Sequence, residues 1–183
     1  VIVREWRACG VRTMNGVFYG DAVLASADYH HVEQKLVPKR YRQYDEKYWE
    51  GRTMSPTSLL YYLGVEGDLG DLEHHTLFFD EDLVQHMDEV YGEPRWPEAP
   101  LFYACAPSQT DDTTAPEGHS NLFLLIPLAP GLRDSERLRE ETFHKVMDRL
   151  EAHVERPLRE RIVVKRGYAM DDFVEDYGAF KGN

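Results

Sequence analysis

Eight histidines are present, and four of them form adjacent pairs, His30-His31 and His74-His75. Imidazole is a common metal ligand, but neighbouring residues point to opposite sides of a strand and diverge on a helix, so a doublet does not chelate as a unit. No His-Glu-x-x-His and no Cys-x-x-Cys supplies a zinc spacing, and no metal site is expected. Gly64, Gly67 and Gly70 follow an apolar run as a phosphate cradle would, yet Glu66, Asp68 and Asp71 beside them would repel a phosphate. They read as a turn, and the acids match no calcium loop. Ser108, Asp111 and His119 are the residue types of a hydrolytic triad, without the Gly-x-Ser-x-Gly elbow that presents such a serine. Asp111-Asp112 and Asp171-Asp172 read as solvated faces or helix caps. No residue is assigned a catalytic role.

What the chain does carry is aromatic and aliphatic surface in strand-like runs. Tyr61, Tyr62 and Leu63, Phe102, and Phe123 head the candidates for contact with a long apolar ligand. A sheet can pack one face under helices and leave the other as a wall, because side chains alternate. A sheet covered on both faces has the same sequence signature, so ordinary core on both sides is the alternative.

The elements that position these residues follow from periodicity and punctuation. Met14-Asn15-Gly16 between apolar flanks predicts a hairpin within the first 27 residues. Asp28 stands as N-cap of a short helix that stops at Pro38, and Tyr41, Tyr44, Tyr48 and Trp49 recur at helical spacing. Strands are expected over 57–65, 74–79, 101–106, 122–128 and 161–168. A helix capped by Asp80 should present Leu83, Val84, Met87 and Val90 on one face. The clearest helix starts near Asp134 or Ser135, carries Leu138, Thr142, Val146, Leu150 and Val154 inward, and ends before Pro157. Clustered strands without regular strand-helix alternation give an α+β fold, with a mixed or antiparallel sheet and flanking helices.

A net charge of −12 argues against a nucleic-acid partner and also suits solubility at high salt. Cys9 and Cys105 are too few for a disulfide framework and read as buried free thiols. No apolar run reaches the ~20 residues of a membrane helix, and no signal peptide is evident, so a cytoplasmic location is expected. A start within a strand, without Met, and an end at Lys181-Gly182-Asn183 suggest an internal piece of a longer chain.

An ordered series of motifs then resembles one family, the bacterial and archaeal phytoene desaturases. It runs from Asp21 through Asp28-Tyr29-His30, then Leu36 to Arg42, Leu60-Tyr61-Tyr62-Leu63-Gly64 and His74-His75-Thr76-Leu77. It continues with Ala106 to Asp111, Ala115-Pro116-Glu117-Gly118 and Asn121 to Pro127, and closes with Tyr177 to Asn183. The resemblance covers essentially the whole chain and rests on the order of its pieces. It implies an amine-oxidase-like flavoprotein in which one domain holds FAD and an inserted sheet-and-helix domain walls the tunnel for an apolar polyene.

On this resemblance residues 1–183 are a single substrate-side domain, with 1–27 a hairpin region joining the FAD domain and 28–183 the sheet-and-helix part. The Gly-x-Gly-x-x-Gly turn and the second Gly-rich segment that grip FAD in the family are absent from the chain. The implied partners are an FAD-binding domain of the same polypeptide and the polyene, with peripheral membrane contact for the full-length form. Asp28, Tyr29 and His30 are the residues expected near the flavin junction; a helix cap with two surface aromatics is the plainer reading. The implied reaction is desaturation of phytoene or a related carotenoid. Ketolation, isomerisation or retinoid saturation, and a non-catalytic polyene- or lipid-binding module, are the alternatives.

Overall fold

The computed structural model describes residues 1–183 and divides into two compact units, Val1–Met54 with Val174–Phe180, and Ser55–Phe173 with Lys181–Asn183. The 1–27 hairpin region drawn from the sequence is therefore part of a first unit that extends to residue 54.

The first unit opens with a three-stranded antiparallel meander, β1 (Ile2–Arg4), β2 (Arg7–Thr13) and β3 (Gly16–Tyr19). Thr13 pairs with Gly16, so the expected Asn-Gly hairpin forms with a two-residue loop. In the β1–β2 turn Glu5 and Trp6 both take positive φ, the handedness that suits strand twist. Asp28 caps α1 (Tyr29–His31) by accepting the His31 backbone N–H at 2.7 Å. The helix widens over Val32–Leu36, where the Val37 N–H reaches the Val32 carbonyl, and Pro38 follows. A short α2 (Glu46–Glu50) completes the unit, capped by Asp45.

Buried Glu33 organises this segment. One of its oxygens accepts the N–H groups of Gln43 and Tyr44, and the other accepts Trp49 Nε1 at 3.0 Å and Gln34 Nε2. A carboxylate removed from water persists when each oxygen is matched to donors in this way.

The second unit is built on a five-stranded antiparallel sheet in the order β5-β6-β7-β4-β8: β4 (Thr57–Glu66), β5 (His75–Phe78), β6 (Phe102–Cys105), β7 (His119–Leu128) and β8 (Ile162–Tyr168). β4 and β7 pair along their full ten residues, from Thr57 opposite Leu128 to Glu66 opposite His119. The predicted α+β class and antiparallel sheet are both present.

Helix α4 (Glu136–Val154), capped by Ser135, buries Thr142, Phe143, Val146, Met147, Leu150 and Val154 against one sheet face, and Glu155 ends it in a left-handed conformation. Leu59, Tyr61 and Leu63 of β4 and Leu122, Leu124 and Ile126 of β7 meet that helix surface. Gly167 lies opposite Tyr61, and a Cβ there would sit 3.1 Å from the phenol ring, so the glycine makes room for it. Two further helices are α3 (Leu83–Met87) and α5 (Met170–Tyr177), the latter with residues in both units.

Three expectations need correction. Asp82, not Asp80, caps α3, while Asp80 pairs with Arg149. The α3 segment turns His86, Glu89 and Val90 inward and leaves Leu83 and Val84 exposed, so of the predicted stripe only Val90 is buried; the helix widens over Asp88–Gly92. His86 is satisfied there, with Nδ1 accepting the Leu101 N–H and Nε2 on the Pro127 carbonyl. Cys9 and Cys105 are free thiols but half-buried, not buried.

Candidate functional site

The sheet face opposite α4 is the candidate site. Strand alternation splits the five predicted contact residues: Tyr62 and Phe123 stand on this open face, whereas Tyr61, Leu63 and Phe102 point into the helix-covered core. Tyr61 Oη donates to the Arg139 carbonyl at 2.9 Å, and burial, then the Glu140 carboxylate, push its phenol well above the usual tyrosine range. Phe102 stacks on Phe78 at 4.1 Å between ring centroids.

Pairing register arranges the open face as two rows that cross all five strands. One runs Leu77, Tyr103, Leu125, Leu60, Tyr168; the other runs His75, Cys105, Phe123, Tyr62, Arg166. Four strand spacings give each row a length of about 19 Å. Tyr62 and Phe123 lie 5.2 Å apart and Phe123 and Tyr103 6.3 Å apart, an aromatic centre on this face. Leu77 is 63% exposed and Tyr62 47%, so much of this apolar surface is left uncovered by the chain itself. The Cys105 thiol beside Tyr103 raises that phenol's pKa. No carboxylate stands within either row; the middle of the face is apolar, and its polar groups, His75, Cys105 and Arg166, lie toward the edge strands.

The residues predicted near a flavin lie in the first unit. Asp28 is engaged as the α1 cap. His30 is buried, stacked on Phe180 at 3.9 Å, with Nε2 3.0 Å from Glu46. Tyr29 is 55% exposed and meets Trp49 edge to face at 5.1 Å. Asp28 is thus a helix cap and Tyr29 an exposed ring, whereas His30 is not a surface aromatic. A dinucleotide needs backbone N–H groups free to meet phosphates, and the glycine-rich turn does not provide them. The Gly67 N–H goes to the Gly118 carbonyl and the Gly70 N–H to Asp68. The residues present do not make a flavin site by themselves.

Sequence reasoning counted Tyr103 among the aromatic residues but put Phe102 beside it first as a contact, and it missed Leu60. The signal for Leu60 was available, since it is two residues from Tyr62 and shares its face. Of the hydrolytic triplet, Ser108 is tied to Asn121, Asp111 to Thr113 and His119 to the Glu117 carbonyl, with no hydrogen bond among the three.

An antiparallel sheet with helix α4 on one face and a partly exposed aromatic face on the other makes a substrate-domain-like α+β fold. No protein-family model matches the chain. It is similar to the carotenoid 3,4-desaturase of Haloarcula japonica, 46% identical over 173 residues, which are 94% of this chain and 35% of that protein. It is also similar to the all-trans-zeta-carotene desaturase of Myxococcus xanthus, 29% identical over 192 residues (100% and 36%). The 4,4'-diapolycopen-4-al dehydrogenase of Metabacillus indicus is 30% identical over 185 residues (99% and 36%). The chain belongs to the carotenoid desaturase family, and it spans about a third of the length of these relatives. No helix is long and apolar enough to cross a membrane.

Proposed function

We propose that this chain is the substrate-side part of an FAD-dependent desaturase acting on phytoene or a closely related carotenoid, and that the open sheet face is the wall against which the polyene lies. The observation that carries the proposal is the pair of cross-strand rows centred on Tyr62, Phe123 and Tyr103, partly exposed on the side away from α4. Relatives named as desaturases of carotenoids support the same substrate class.

A polyene has no polar group to grip. Its binding comes from apolar area at about 25 cal/mol per Å2, and aromatic rings supply flat, stiff contact. On this reading Tyr62 and Phe123 touch the substrate, while Tyr61, Leu63 and Phe102 hold the strands from behind. Asp28, Tyr29 and His30 are proposed at the flavin junction, with Tyr29 the ring left open to it. The reaction removes a hydride and a proton from adjacent saturated carbons, for which FAD held by other parts of the polypeptide supplies the acceptor. This chain's contribution is to orient the apolar substrate and exclude water.

A cytoplasmic protein that meets its substrate at a bilayer surface fits the proposal. Flotation of the full-length protein with carotenoid-loaded liposomes reads that contact. The function is tested by supplying full-length protein with FAD and phytoene and following absorbance. Growth of longer-wavelength polyene bands is expected, and their absence rejects desaturation. Relatives named 4,4'-diapolycopene oxygenase and 4,4'-diapolycopen-4-al dehydrogenase favour terminal oxidation as the second reading, recognised by oxygen-containing products in the same assay.

A further inference from the structure

We propose that His74, His75 and Cys105 form a binding site for a single borderline-soft divalent metal ion, Zn2+ being the best match. His75 and Cys105 lie at the β5–β6 end of the second cross-strand row, and their approach to His74 was not visible in the spacing of the sequence.

The β5–β6 register makes it. His75 is directly opposite Cys105, so their side chains leave the same face as cross-strand neighbours. His74 immediately precedes β5, and its carbonyl accepts the Ala106 N–H at 2.8 Å, which locks that end of the strand pair. The rule that adjacent side chains point apart applies within a strand; at the first residue outside it the backbone turns. The two imidazoles accordingly lie 4.2 Å apart at a 37° tilt, and one ligand atom from each of His74, His75 and Cys105 falls within 4.8 Å of the others.

Bonds of about 2.0–2.1 Å to nitrogen and about 2.3 Å to sulfur place tetrahedral ligand atoms about 3.5 Å apart. The three groups therefore need to close by about 1 Å, a side-chain adjustment for residues that are exposed or half-buried. Both rings are already steadied by hydroxyls, His74 Nδ1 with Thr110 Oγ1 and His75 Nδ1 with Tyr103 Oη, each at 2.6 Å. Oriented imidazoles are what metal-bound histidines require.

The donor set selects the ion. Two imidazoles and a thiolate suit zinc and its neighbours and offer nothing to Mg2+ or Ca2+, which seek oxygen. Three protein ligands leave a fourth position for water or an added ligand. The bound ion clamps β5, the short edge strand, onto β6 at one end of the aromatic rows.

The test is titration of the full-length protein, with thiols reduced and oxygen excluded, using Co2+ as the probe. A thiolate-to-cobalt charge-transfer band in the near ultraviolet is expected at one equivalent, displaced by Zn2+ and untouched by Mg2+. Cys105→Ser, nearly isosteric, should abolish the band. His74→Ala and His75→Ala should each weaken binding at least about tenfold. Cys9→Ser, at the other free thiol, should change nothing. Near-ultraviolet circular dichroism without metal confirms that each variant is folded. Absence of the band in the parent protein, its survival in Cys105→Ser, or its equal loss in Cys9→Ser overturns the proposal.

Discussion

Replacing Tyr62 by serine separates the two faces of the five-stranded sheet. A tyrosine side chain offers roughly 200 Å2, and Tyr62 is 47% exposed. That leaves about 90 Å2 for a polyene to cover, and at ~25 cal/mol per Å2 the loss is about 2 kcal/mol. The expected result is a rise of about 30-fold in KM for the polyene. Folding suffers little, because what disappears within the chain is mainly the cross-strand contact with Phe123, worth up to about 1 kcal/mol.

Leu124→Ala is the control from the opposite face. Leu124 is wholly buried, so the change should cost about 2–5 kcal/mol and lower Tm by roughly 5–15 °C. The assay is initial rate of visible-band growth against substrate concentration in full-length protein with FAD, alongside thermal melting of each variant. An unchanged KM in Tyr62→Ser, or a fall in its Tm matching that of Leu124→Ala, refutes the assignment of the open face to substrate.

Asp134 sits almost fully buried at the start of α4, bonded to Arg139 at 2.8 and 2.5 Å and to the Asp171 N–H. Burial pushes its carboxyl up, but Arg139 and the backbone donors outweigh burial and hold it below the usual range. A lowered folded-state pKa stabilises above the unfolded value of about 4, and the benefit is lost as pH falls through the folded value. Asp134→Asn should therefore cost about 3 kcal/mol at pH 7, the low end for a broken buried pair because Asp172 keeps its hold on Arg139. Melting curves should show that gap narrowing below about pH 4, and a gap independent of pH would defeat the account. Glu33→Ala strands four donors in the first unit and should cost at least about 3 kcal/mol. Limited proteolysis should then cut within 38–54 well before the sheet unit, and an unchanged cleavage pattern would count against Glu33 as the organiser.

Local signals carried much of this fold. The fourfold spacing of Thr142, Val146, Leu150 and Val154 announced α4, and Asn15-Gly16 its hairpin. Side-chain alternation was equally legible, but which parity faces α4 depends on tertiary packing, so Tyr61 and Tyr62 looked equivalent until the helix was placed. Of the stripe Leu83, Val84, Met87, Val90 only Val90 is buried, because tertiary packing chose the side of the helix that carries His86 and Glu89. The approach of Cys105 to His75 had no signature at all, since 30 residues separate them and only the register between β5 and β6 joins them.

Asn183 Nδ2 donates to the Ser55 carbonyl at 2.6 Å, and Thr57 Oγ1 donates to the Gly182 carbonyl. Residues 55–57 and 182–183 of the sheet unit are thus buttoned together, so the polypeptide enters that unit beside the place where its last residues lie. A segment whose two stems touch can be spliced between consecutive residues of a host without prying that host open. It can also lengthen or change its greasy surface while the host's own strands stay in register. In such an arrangement the loops between the strands can vary while the joined stems keep their place.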